Sequence, residues 1–169
     1  EYLMFIDSDD IPLPELVEKT FTRIITDSDL MAVGCFHNYI DKNDRLIGGG
    51  LFLGDISKEL FFKRAQDNHL VFMQPTAVLR VKDALAAGGF SIEGYFENGT
   101  RYEDYCEDLD LWTRMSDFYK LQKAIIVIPE VLSLYRKMEN TASSNVLAMQ
   151  LKMHFIKQNL ILRRSGGKD

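Results

Sequence analysis

Two acidic clusters hold the residue types in which chemistry could reside. The first is Asp7-Ser8-Asp9-Asp10, which follows the apolar run Leu3-Met4-Phe5-Ile6 without a break. Two carboxylates one residue apart at the carboxyl end of a strand lie where open α/β sheets bind ligands. Hard divalent cations take oxygen ligands, and magnesium or manganese bridging a substrate diphosphate needs just one or two protein carboxylates. Asp7 and Asp9 could therefore hold a metal–diphosphate. The other use of the same residues is a solvated turn that caps the next helix, a position that Asp favours.

The second cluster is Cys106-Glu107-Asp108-Leu109-Asp110-Leu111-Trp112, preceded by Glu103-Asp104. An aspartate at a helix start beside a pocket can act as general base, taking the proton of an attacking hydroxyl from about 3 Å away. Structural uses compete here too, with Asp108 as first-turn partner of the helix dipole and Asp110 with Arg114 as an i,i+4 pair. Trp112 shares helical spacing with Met115 and Tyr119, which suits a core residue, and an aromatic of this kind can also serve as a sugar platform. Gly48-Gly49-Gly50 has neither a Gly-x-Gly-x-x-Gly pattern nor a Walker lysine, so it reads as a flexible loop.

The elements that must position these residues follow from apolar spacing. Glu1 to Ile6 reads as a short strand buried on both faces, because a continuous apolar run bounded by a polar turn suits the inside of a covered sheet. Pro12 and Pro14 precede a helix from about Pro14 to Ile25. Met31 to Ile40 reads as a strand, turned at Asp41-Lys42-Asn43-Asp44 into a hairpin through Ile47. A helix capped near Asp55-Ile56-Ser57-Lys58 runs to Asp67, and an extended stretch from His69 to Pro75 continues apolar to Val81. A short helix over 82–87 is closed by Gly88.

Residues 91–106 lack a period and read as a long loop framing a site. Glu107 opens a helix, Ala124 to Ile128 is a buried strand ended by Pro129, and Val131 to Tyr135 is a second strand. Asn145 to about Arg164 is an amphipathic helix.

Bulk properties narrow the classes. A chain of 169 residues fits a single domain, since domains commonly run roughly 100–200 residues. Residues 141–169 form its C-terminal amphipathic helix and tail. Hydrophobic residues at 46% and charged residues at 27% are ordinary for a globular chain. The net charge of −5 lacks the basic footprint that neutralises nucleic-acid phosphates, so no nucleic-acid partner is expected. Cys35 and Cys106 form no Cys-x-x-Cys pair, which argues against a disulfide framework or zinc set and for a reducing cytoplasm. No apolar run approaches the roughly 18–20 residues of a membrane-spanning helix.

The order of the motifs adds what no single one carries. Ile6-Asp7-Ser8-Asp9-Asp10, Val78-Leu79-Arg80-Val81 through Gly88-Gly89-Phe90, Glu107-Asp108-Leu109-Asp110-Leu111-Trp112-Thr113-Arg114 and Leu132-Ser133-Leu134-Tyr135-Arg136 occur in that sequence. Over nearly its whole length the chain resembles the C-terminal half of a family-2, GT-A fold inverting glycosyltransferase. The resemblance implies a GT-A-like α/β fold, a mixed sheet with flanking helices that lacks the N-terminal nucleotide-binding β-α-β half.

It also implies metal-assisted transfer of a sugar from a nucleotide-sugar donor to a saccharide or lipid-linked acceptor, in cell-surface polysaccharide or glycan synthesis. Manganese or magnesium is the implied cofactor. By match to the motifs, Asp7 would lie near the donor ribose or metal, with Asp9 nearer the metal. Asp108 would be the catalytic base beside Glu107, and Arg136 and Trp112 would contact substrate. The absence of a Gln-x-x-Arg-Trp motif favours transfer of a single sugar, and Met138 stands where the family often has a metal-reaching histidine. A thioether is a poor ligand for a hard cation.

On this resemblance the chain starts at an interior strand, which suggests a fragment with an exposed strand edge. That edge, or the C-terminal helix, could support a homo-oligomer. The expected location is cytoplasmic, or peripheral at the inner face of the membrane. Two other readings compete. One is a non-catalytic truncated module that binds acceptor or a partner through the helix Asn145 to Arg164. The other is a haloacid dehalogenase-like phosphatase, in which Asp7 and Asp9 would be nucleophile and acid/base, although Ile11 stands where Thr or Val is usual.

Overall fold

The computed structural model describes residues 1–69, 75–91, 106–138 and 145–167, and the backbone alone at 96–97 and 100–101. Along the chain these form β1 (Tyr2–Met4), β2 (Ile11–Pro12), α1 (Leu16–Ile25), β3 (Leu30–Ile40), β4 (Leu46–Leu51), α2 (Lys58–Gln66), β5 (Val78–Arg80), α3 (Val81–Ala86), β6 (Phe96–Glu97), β7 (Thr100–Arg101), α4 (Glu107–Phe118), β8 (Ala124–Arg136) and α5 (Val146–Arg164). The architecture is mixed α/β, as expected. One sheet runs in the order β1-β5-β3-β8-β2, with β4 added to β3, and β6 and β7 form a separate two-stranded ladder.

The centre of the sheet is the parallel pair β3 and β8, which pair from Leu30 opposite Ala124 to Ile40 opposite Arg136 with shifts of register on the way. Leu30 to Cys35 and Ala124 to Val127 are all buried, which is why both segments are continuous apolar runs rather than alternating ones. β5 runs antiparallel to both β1 and β3. Leu111, Trp112 and Met115 of α4, Phe61 and Ala65 of α2 and Ile24 of α1 share one core cluster with the inner strands. α5 docks through Ala148, Ile156 and Leu160. Its basic end turns inward, with Arg163 and Arg164 bonding the two oxygens of Asp117 at 2.8 and 2.7 Å.

Five expectations change. β1 is not buried on both faces: among the described residues it pairs with β5 alone, which leaves the exposed strand edge expected from the resemblance, and Leu3 and Ile6 are each 46% exposed. Nothing in a run of apolar residues distinguishes an edge from a centre. β8 is one strand, because the two residues Pro129 and Glu130 are accommodated as a bulge between Ile128, opposite Cys35, and Val131, opposite Phe36. Proline has no N–H to give a ladder, and a bulge removes the need for one.

The triple glycine belongs to β4 rather than to a loop, with positive φ at Gly48 and Gly49 and Gly50 opposite Asn38. A Cβ at Gly50 would run into the carbonyl oxygen of His37, so strand pairing is possible there only without a side chain. Ile11 and Pro12, expected only to precede a helix, pair with Leu134 and Ser133 of β8. Within 91–106, Phe96–Glu97 and Thr100–Arg101 form a short antiparallel ladder. Most of the extended stretch expected over His69 to Pro75, and part of the tail over 141–169, lie outside the described residues.

Candidate active site

β1 and β2 occupy opposite edges of the sheet, so Asp7 to Asp10 carry the chain from one edge to the other. Phe5 N–H donates to the Ala77 carbonyl at 3.1 Å, Asp10 N–H to the Asp7 carbonyl at 3.1 Å, and Leu13 N–H to the Leu132 carbonyl at 2.9 Å. The acidic segment is thus a tight turn anchored at both ends by strand pairing. It lies where three carboxylates must share one small volume.

Two of them hold their protons more tightly than an ordinary carboxyl, chiefly through burial. Asp7 is raised above the ordinary carboxylate range, first by burial and then by the charge of Asp9. Asp10 is pushed up to about 6, chiefly by burial, against the opposing pull of a hydrogen bond from Arg136 N–H. That N–H meets Asp10 Oδ1 at 2.9 Å, while Asp10 Oδ2 is buried with no hydrogen-bond partner among the described residues. The motif Asp-x-Asp-Asp names Asp10, but only the fold turns it inward.

Asp108 occupies the first turn of α4, half-buried, beside the exposed Glu107. Its Oδ1 accepts the Leu109 N–H at 2.8 Å. That bond and the helix N-terminus both favour a charged carboxylate. Burial outweighs them and pushes Asp108 up to about 6, with Glu107 and Asp7 adding to the rise. A carboxylate at about 6 is half-ionised just below neutrality, the range in which a general base works best. Cys106, in the left-handed region at φ 54, forms the bend before the helix. Its thiol is raised to about 11, by burial and then by Asp108 and Glu107, so it is not a ready nucleophile.

The charge of Asp7 adds, as the smallest of the causes, to the rise at Asp108, so the two acidic clusters, far apart in sequence, act on one another electrostatically. Two of the six expected site residues sit differently from a ligand-contacting role. Trp112 is 0% exposed in the core, which agrees with the core position its helical spacing suggests and not with the substrate contact implied by the resemblance. Arg136 keeps 13% of its side chain exposed and its guanidinium is occupied by the protein. Nε donates to the Asp9 carbonyl at 2.7 Å, Nη1 to the Asp41 carbonyl at 2.7 Å, and Nη2 pairs with Asp44 at 2.6 Å.

Other buried polar groups escaped sequence reasoning. His37 is held below its ordinary range, at about 4, by burial, and its Nδ1 bonds Ser133 Oγ across β3 and β8. Asp83, fully buried, accepts from Tyr119 Oη at 2.6 Å and from Lys123 Nζ at 2.8 and 2.9 Å. Both are internal cross-links, with no tell-tale spacing.

A metal site needs hard donors within reach of solvent. Among the described residues no group of three or more His, Cys, Asp or Glu is arranged to hold a cation. Asp7 and Asp9 supply two carboxylates, which fits a cation that completes its shell with phosphate oxygens and water.

No protein-family model matches the chain. It is 26% identical over 145 residues to glycosyltransferase GlyG of Streptococcus pneumoniae serotype 4, a match covering 81% of this chain and 44% of that protein. The chain is thus a distant relative of a glycosyltransferase and spans less than half of that relative's length. Among the described residues no helix is long and apolar enough to cross a membrane.

Proposed function

We propose that this chain carries the catalytic half of an inverting, GT-A-type glycosyltransferase acting on a nucleotide-sugar donor, in the assembly of a polysaccharide or other glycan. The observation that carries this reading is Asp108, half-buried in the first turn of α4 beside Glu107, with its carboxyl raised by burial and then by the charges of Glu107 and Asp7. The glycosyltransferase relative at 26% identity supports the class.

In this reading Asp108 accepts the proton of the acceptor hydroxyl as that oxygen attacks the anomeric carbon of the donor. The new C–O bond forms as the bond to the diphosphate breaks, the electron pair leaves on the diphosphate, and the anomeric centre inverts. Asp7 and Asp9 would hold manganese or magnesium, which when bound offsets charge on the departing diphosphate. Glu107 keeps the local potential negative and so raises the basicity of Asp108. Partial burial withholds water from the base, which maintains its raised proton affinity.

The test is Asp108→Asn in the full-length polypeptide that contains this chain. Transfer should be lost while donor binding, read by calorimetry with UDP and manganese, is retained. Retained transfer would remove Asp108 as base. No detectable nucleotide binding by the full-length parent would leave a non-catalytic module as the better reading.

A further inference from the structure

The resemblance suggested Arg136 as a substrate contact; its surroundings point elsewhere. Four of its groups are used within the protein, and they reach two segments. Its peptide N–H donates to Asp10 Oδ1 and its Nε to the Asp9 carbonyl, both in the acidic turn. Its Nη1 donates to the Asp41 carbonyl and its Nη2 pairs with Asp44, both in the turn between β3 and β4.

That second turn is itself braced. Asp41 Oδ1 accepts the Asn43 N–H at 2.7 Å and the Arg45 N–H at 3.0 Å, and Asp44 sits at φ 64. The guanidinium therefore enters a receptor already formed by the hairpin and reaches through it to the peptide that carries Asp9. A planar fork can satisfy carbonyls and a carboxylate in fixed directions at once, which a single ammonium cannot.

We propose that Arg136 is a positioning residue: it locks the Asp9 and Asp10 backbone to the β3–β4 turn and so sets the direction of the Asp9 carboxylate. This rests on the reading of Asp9 as a metal-side carboxylate for its consequence, though not for the clamp itself. Arg136 offers the turn a positive charge and two donors.

Arg136→Lys keeps the charge and removes the fork. In hydrogen–deuterium exchange on the full-length polypeptide, amides of residues 7–11 should exchange at least tenfold faster, with the strands β3 and β8 unchanged. Manganese binding, read by calorimetry, should weaken at least tenfold, and saturating manganese should restore kcat. Unchanged exchange at 7–11 would overturn the proposal, as would faster exchange spread over the whole chain, which marks general loosening. Should Arg136→Lys fail to fold, Asp44→Asn, at the 63% exposed end of the clamp, decides the matter. Faster exchange at 7–11 supports the clamp and parental exchange overturns it. If the parent itself binds no manganese, the metal reading falls while the exchange result still judges the clamp.

Discussion

Asp7 and Asp108 lie close enough for the charge of the first to raise the proton affinity of the second. One comes from the turn after β1 and the other from the first turn of α4. Strand pairing at β1 and β2 fixes the former, and packing of Leu111, Trp112 and Met115 fixes the latter. The candidate site is therefore a relation between an edge-to-edge turn and a helix start.

Transfer should follow the ionisation of Asp108. With its proton affinity at about 6, kcat/KM should fall about tenfold per pH unit below that value and level off above it. A pH–rate profile of the full-length polypeptide measures this. A limb placed near 4 would mean that an unburied carboxylate is the base.

Stability should carry the same signature with a definite sign. The folded state holds the Asp108 proton more tightly than the unfolded chain, so between about pH 4 and 6 stability falls as pH rises, and it stays lowered above 6. Asp108→Asn removes that loss. Unfolding free energies from urea titrations should show the variant level with the parent near pH 4 and more stable by on the order of 1–2 kcal/mol at pH 7, allowing for partial solvent screening. Equal stability at both pH values would show that burial does not strain this carboxylate.

Trp112 tests core against platform. Trp112→Phe should lower stability by about 1–3 kcal/mol, as a large-to-small change in a packed core does, and leave the KM for donor and acceptor at parental values. A selective rise in KM with stability intact would return Trp112 to the ligand.

Gly50 tests the inclusion of the triple glycine in β4. Gly50→Ala should lower the unfolding free energy measured in urea by about 1–3 kcal/mol, because the new methyl group meets the His37 carbonyl oxygen, which cannot turn away, as well as the Phe52 ring. A neutral substitution would mean that β4 leaves β3 at little cost.

Local chemistry was legible where one short segment decides it. The helices over Lys58–Gln66, Glu107–Phe118 and Val146–Arg164 sit close to where apolar spacing and caps put them, with Ser57 and Asn145 accepting N–H bonds from Leu60 and Ala148. The apolar face of α1 was only half legible. Leu16, Thr20 and Ile24 are buried, whereas Val17, Phe21 and Ile25 are exposed. A periodic pattern identifies a helix, but which of two adjoining stripes is covered depends on its neighbours.

Sequence by itself determined the residue types, their order and the likeness to a class: Asp7, Asp9 and Asp10 behind an apolar strand, and Glu107-Asp108 at a helix start. Only the tertiary structure decided their partners. It placed β1 at an edge, turned Asp10 inward, buried Trp112 and bound Arg136 to Asp9, Asp41 and Asp44. The physical reason is range. Propensity and capping act over a few residues along the chain, whereas burial, charge coupling and hydrogen bonding act between whichever groups the fold brings within a few ångströms.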